Sequence, residues 1–252
     1  MPVNPKFVEE FFVESNTPDW QCPTCMLGVL EVDALGFTQK LDSPSQKLND
    51  DPDPSSAMWE LDLKGVFNGI LTCSNPRCSE NVAISGHFKY IEANTTFGPD
   101  DFEGGYQAVR VLIPKYFTPS LKLVRLNNEV PTDIKVLMKQ ALELFWLDES
   151  SCGNKMRVLV EKLMDAQAVA SGSSLHQRLV SYKAVQPVLA DMLMAVKWLG
   201  NSGSHKSDSL NREDLITAAD ILESVLNTVY QPDVTALIAK SAAINAAKGP
   251  VR

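Results

Sequence analysis

The sequence predicts an α+β chain, with a small β-rich unit in the first half and an all-α bundle in the second. Three observations carry this prediction. Four of the five cysteines fall into two close pairs, Cys22/Cys25 and Cys73/Cys78, each in a Pro-containing turn. Short apolar segments lie between and after these pairs, at strand length. From Pro131 to about Tyr230 the apolar residues instead recur at three- and four-residue spacing, as amphipathic helices require. The chain therefore divides into an N-terminal helix in 1–19, a β-rich unit in 20–127, a helical domain in 128–232 and a helical tail in 233–252.

Taken in order, Phe7, Val8, Phe11 and Phe12 have helical spacing, which predicts a short helix over 4–15 ended by Thr17-Pro18-Asp19. Met26 to Val32 reads as a strand. Residues 42–57 hold almost nothing apolar and read as an exposed loop. Alternation predicts strands at Trp59–Leu63, Val66–Cys73 and Asn81–Ile91, then two short ones at Ala108–Ile113 and Leu121–Leu126. Pro131-Thr132-Asp133 is a helix start, and Ile134, Leu137, Met138, Ala141, Leu142 and Phe145 form its stripe. Further helices are expected over 151–169, 174–182 and 185–199, the last with Pro187 in its first turn. Asn211 is placed to cap another, and the alanine-rich tail from Val234 to Lys248 reads as a marginal one.

At 252 residues the chain can bury a core without disulfides. Its net charge of -8 excludes coating nucleic acid by overall charge, though a local basic groove stays open. No apolar run reaches the length of a membrane span. The start Met-Pro-Val-Asn-Pro-Lys has neither a basic nor an apolar signal region, so the expected compartment is the cytoplasm.

In a reducing compartment close cysteine pairs read as metal ligands. Cys22, Cys25, Cys73 and Cys78 would supply the four thiolates of a tetrahedral Zn2+ site in a zinc-ribbon-like layout. Such a site is closed, so the metal is structural. Cys152, at a helix start, reads as a helix residue first and a nucleophile second.

The segment Val196 to His205 carries the other candidate chemistry. One reading is a helix C-terminus, with Gly200 or Asn201 in the left-handed conformation. The other is phosphoryl chemistry. Lys197, Asn201 and His205 are four apart and would share an arc of about 80° on a continuous helix, at about 100° per residue. His205 would then be the acid/base, Lys197 would stabilise phosphate charge and Asn201 would orient. Arg157 and Arg178 are candidates for RNA contacts in that reading.

The pattern Lys197-Trp-Leu-Gly-Asn-x-x-x-His205 follows Met156-Arg157-x-x-x-Glu161 and Leu175-x-x-Arg178-Leu179. With the cysteine turns upstream, Ile113-Pro-Lys-Tyr-Phe-Thr-Pro119 and Tyr230-Gln-Pro232, it resembles the prokaryotic domain-of-unknown-function 4145 family over most of 20–232. That family is similar to the HEPN superfamily of helical nucleotide- and RNA-binding domains, found in antiviral-defence systems. The resemblance implies a homodimer and an Arg-x(4–6)-His ribonuclease motif at its interface. His205 matches the histidine and Asn201 the polar residue, but Gly200 stands at the usual arginine. The nearest base, Lys197, lies eight residues before His205 and lacks the bidentate fork of arginine. The expectation is thus a zinc-stabilised, HEPN-like binding or assembly module, a homodimer of a bacterial defence or nucleic-acid-processing system. Its expected partners are RNA or another defence protein. The alternative is a metal-independent endoribonuclease using His205.

Overall fold

A computed structural model describes residues 11–33, 35–52, 58–95, 105–170, 174–202, 210–232 and 235–250. The fold is mixed α+β: an antiparallel sheet in the N-terminal part and a group of helices after it. Strands β1 (Leu30–Val32) and β2 (Thr38–Leu41) both pair with β3 (Lys64–Cys73), one after the other along the same edge. On its other edge β3 pairs with β4 (Asn81–Thr95), which pairs in turn with β5 (Gly105–Thr118). Phe67, Leu71 and Cys73 alternate inward along β3, while Val66 and Ile70 face solvent. One face of the sheet is therefore packed and the other wet, as antiparallel sheets permit.

The inward face carries a chain of aromatic contacts, edge-to-face except for a tilted pair at its end. Phe12 meets Trp20 at 5.2 Å between ring centroids, and Trp20 meets Phe117 at 5.0 Å. Phe117 then meets Trp146, just past the first long helix, at 5.0 Å. The apolar cluster continues from there into the helices, so the sheet and the helical part share buried side chains. Each such aromatic pair is worth about 1 kcal/mol beyond its burial.

Helices α2 (Thr132–Glu143), α3 (Glu149–Ala166), α4 (Leu175–Lys183), α5 (Pro187–Ser202) and α6 (Arg212–Val229) follow a short α1 (Ser43–Asp50). Helix α3 is central: Cys152, Met156, Leu159, Val160, Leu163 and Met164 are wholly buried. Burial of each large side chain there contributes about 2 kcal/mol. Capping fixes the starts. Asn211 and Asp214 form a reciprocal capping box on α6, as do Ser174 and Gln177 on α4. A polar clasp ties the segment before α2 to the end of α6. Asn127 donates its backbone N–H to Asn227 Oδ1 at 2.8 Å, and Asn227 Nδ2 donates to the Arg125 carbonyl at 2.9 Å. Helix α7 (Thr235–Ala247) keeps Leu237, Ile238 and Ile244 exposed. No helix among the described residues is long and apolar enough to cross a membrane.

Several elements differ from expectation. Of the helix predicted in 1–19, residues 1–10 lie outside the described residues, and Phe12 instead forms an antiparallel bridge with Leu112. The aromatic core claims Phe12, and β5 satisfies its backbone. The loop expected at 42–57 contains α1, because Asp42 Oδ1 accepts the Ser45 N–H at 2.9 Å and a proline sits in the first turn. A capped turn of helix needs little burial, and apolar content is a poor guide to it. Trp59–Asp62 is a 3-10 turn and not a strand. Ala108–Ile113 is the middle of β5, whereas Leu121–Leu126 holds no strand. Leu121 and Leu123 are buried by the core without pairing.

Candidate metal centre

Two turns bring the four cysteines together. The first begins after Trp20, whose carbonyl accepts the Leu30 N–H, and the Cys22 N–H donates to the Gly28 carbonyl at 2.9 Å. The second joins β3 to β4, with the Cys73 N–H donating to the Glu80 carbonyl at 2.9 Å. In both turns the residue after the second cysteine, Met26 or Ser79, takes a left-handed backbone. Because β1 pairs with the end of β3 in the register Leu30↔Cys73, the turns lie side by side.

The sulfurs approach crosswise. Cys22 Sγ lies 3.8 Å from Cys78 Sγ, and Cys25 Sγ 3.7 Å from Cys73 Sγ. All four lie within 4.8 Å of one another. A tetrahedron with bonds of about 2.3 Å to sulfur has edges of about 3.8 Å. The donor set thus fits a metal such as zinc in number, type and spacing.

N–H donors that suit thiolates surround two of the sulfurs. The Gly28 N–H points at Cys25 Sγ at 3.5 Å, and Asn75 points its N–H at Cys73 Sγ at 3.4 Å and its Nδ2 at Cys25 Sγ at 3.7 Å. The Gly28 N–H, with that of Leu27, holds the Cys25 thiol down to about 6. Burial pushes the Cys73 thiol up to about 12, a shift that a cation bound among the sulfurs would oppose. Glycine at 28 is a steric need: a Cβ there would lie 2.6 Å from Cys73 Sγ and 2.8 Å from Asn75 N.

The helical candidate site comes out differently. Helix α5 continues through Ser202, so neither Gly200 nor Asn201 ends it in the left-handed conformation. Gly200 instead marks a close crossing with α3, where a Cβ would meet the Gly153 carbonyl oxygen at 2.7 Å. Lys197 and Asn201 lie one turn apart on one side of α5. Lys197 is buried, and its Nζ sits 3.2 Å from the centroid of the Trp198 ring. His205 lies outside the described residues, so the three are not seen together.

Arg178 is buried and bonds Asp165 Oδ1 at 2.7 Å and the Val169 carbonyl at 3.1 Å, which makes it a structural tie. Arg157 pairs with Glu161 one turn on. Cys152 is wholly buried, and desolvation pushes its thiol up to about 12, the opposite of an activated nucleophile. Sequence reading missed a basic cleft beside the first cysteine turn. The lysines and arginine that line it are scattered from 122 to 139, with no motif to join them.

No curated protein and no solved structure matches the chain. Two family models match parts of it. Residues 139–247 match the domain of unknown function DUF4145, a shorter span than the upstream motifs suggested, and residues 10–117 match the domain of unknown function DUF8608. The sheet-bearing part and the helical part are thus each similar to a domain family of unknown function.

Proposed function

We propose that the chain is a non-catalytic binding or assembly module. In this reading a zinc-ribbon-like unit, held by structural Zn2+ on Cys22, Cys25, Cys73 and Cys78, carries a HEPN-like helical domain. That domain pairs as a homodimer in a cytoplasmic bacterial system of antiviral defence or nucleic-acid processing. The observation that carries the reading is the position of Lys197, a buried residue whose ammonium is engaged over the Trp198 ring of its own helix. Four thiolates leave no open position for substrate, which supports a structural metal. Exposed Val188 and Trp198 on α5, and Leu237 and Ile238 on α7, supply apolar surface for pairing.

The second reading, a metal-independent endoribonuclease, draws on the shared side of Lys197 and Asn201 on α5. His205 would be its acid/base, with Asn201 orienting and Lys197 stabilising phosphate charge. The purified chain, incubated with mixed RNA in EDTA beside His205→Ala, separates the two. The module reading expects no cleavage by either protein and sedimentation as a dimer. Cleavage by the wild type alone would install the ribonuclease, and a monomer at every concentration would remove the homodimer.

A further inference from the structure

Between the first cysteine turn, the 119–126 segment and α2 lies a cleft of about 670 Å³, the size of a small-ligand site. Among the described residues four cations line it, Lys122, Arg125, Lys135 and Lys139, and no carboxylate does. In a chain of net charge -8 this is a local reversal of sign. The partners of these cations sharpen the point. Arg125 donates to Gln21 Oε1 at 3.2 Å, and Lys135 donates to the Asn128 carbonyl at 3.0 Å. Both acceptors are neutral, so they position the charge without cancelling it. Lys139 has a carboxylate, Glu143, at 3.7 Å in an exposed pair worth little. Beneath the cations, Leu121, Met138 and Leu142 are buried side chains that form an apolar floor.

We propose that this cleft binds an organic phosphate. The phosphoryl head sits among Lys122, Arg125 and Lys135, and the apolar or flat body lies on Leu121, Met138 and Leu142. Charge count decides the head group. A carboxylate carries one negative charge and would leave cations facing one another, whereas a phosphate monoester carries close to two at neutral pH. The guanidinium fork of Arg125 also matches phosphate geometry. Floor and cations together favour an ester over free phosphate. The ligand is either a free nucleotide or the 5′-phosphate end of a strand. The proposal does not depend on His205 or on the kinship of the helical domain.

The test is calorimetric titration of the full chain with adenosine 5′-monophosphate, adenosine, inorganic phosphate and a 5′-phosphorylated trinucleotide. The monophosphate should saturate one site per chain, with adenosine and inorganic phosphate each weaker by about tenfold or more, the loss expected for a charge-assisted hydrogen bond or a buried apolar contact. Lys122→Ala with Arg125→Gln should weaken the monophosphate by about tenfold or more, and Lys47→Ala on α1 should not. Melting curves matching the wild type would show that these surface variants fold. A trinucleotide tighter than the monophosphate supports a strand end, and the reverse supports a free nucleotide. No binding of either, binding unmoved in the cleft variant, or a monophosphate no tighter than inorganic phosphate would overturn the proposal.

Discussion

A methyl group added at position 200 would have no space. It would lie 2.7 Å from the Gly153 carbonyl oxygen and 2.8 Å from Arg157 Cβ, so two helix backbones would have to separate. Alanine gains about 1 kcal/mol of helix propensity over glycine. Overpacking costs about 1–3 kcal/mol and wins here, because backbone is what must move. Gly200→Ala should therefore lower stability. At Gly153 the nearest atom to an added Cβ is Leu210 Cδ2 at 2.5 Å, the free end of a side chain, and the next atoms are 3.6 Å away. Gly153→Ala should stay within about 1 kcal/mol of wild type, since a rotamer change can clear the clash while propensity improves. Urea denaturation of both variants checks the order, and the reverse order would mean that the α3–α5 crossing is misplaced. At this scale the sequence is ambiguous for a clear reason. Gly200-Asn201 is spelled like a helix end, and periodicity reports one helix without the backbone that another lays against it. The buried thiol of Cys152 was hidden in the same way.

Among the elements, α3 depends on its first turn. Asp148 Oδ1 accepts the Ser151 N–H at 2.9 Å, and Oδ2 accepts the Ser151 hydroxyl at 2.6 Å. The Ser151 hydroxyl, then its N–H, holds the Asp148 carboxyl below the usual carboxylate range. A folded-state value below the unfolded one means stability present above the unfolded pKa of about 3.9 and lost as pH falls through the lower folded value. Asp148→Ala should cost about 1 kcal/mol at pH 7, and the gap to wild type should narrow progressively below about pH 4. Urea midpoints at pH 7 and pH 3 test this, and a gap independent of pH would show that the charged cap contributes nothing. Helices α2 to α6 were readable because long 3,4 stripes and caps such as Asn211 are local signals. Strand extents were less so. The expected strand ended at Ile113, just ahead of Pro114, yet β5 runs through that proline to Thr118 and pairs with β4.

For the molecule as a whole, the cysteine cluster is the most direct test. The purified chain should carry about one zinc, the stoichiometry of a four-thiolate site, and Cys22→Ser or Cys73→Ser should lose it. Removal by a strong chelator should lower the melting temperature, since metal-binding free energy is folding free energy at such a site. Elemental analysis and melting with and without chelator decide, and a metal-free wild type indifferent to chelator would reject the centre. The donor set was legible because turn spacing is local. That the sheet and the helices share one apolar cluster was not. Trp20, Phe117 and Trp146 meet across more than a hundred residues, and no periodic pattern reports such a meeting.

Residues 21–26 look in two directions. Cys22 and Cys25 turn toward the sulfur cluster, while Pro23, Thr24 and Met26 wall the cleft and Gln21 steadies Arg125. A cation on one side and an organic phosphate on the other would order the same few peptide units. Coupling of that kind is reciprocal: the factor by which the first occupant strengthens the second equals the factor by which the second strengthens the first. Stripping the metal would then weaken the phosphate site, and filling that site would slow the loss of the metal, so the turn would carry news of one occupant to the other.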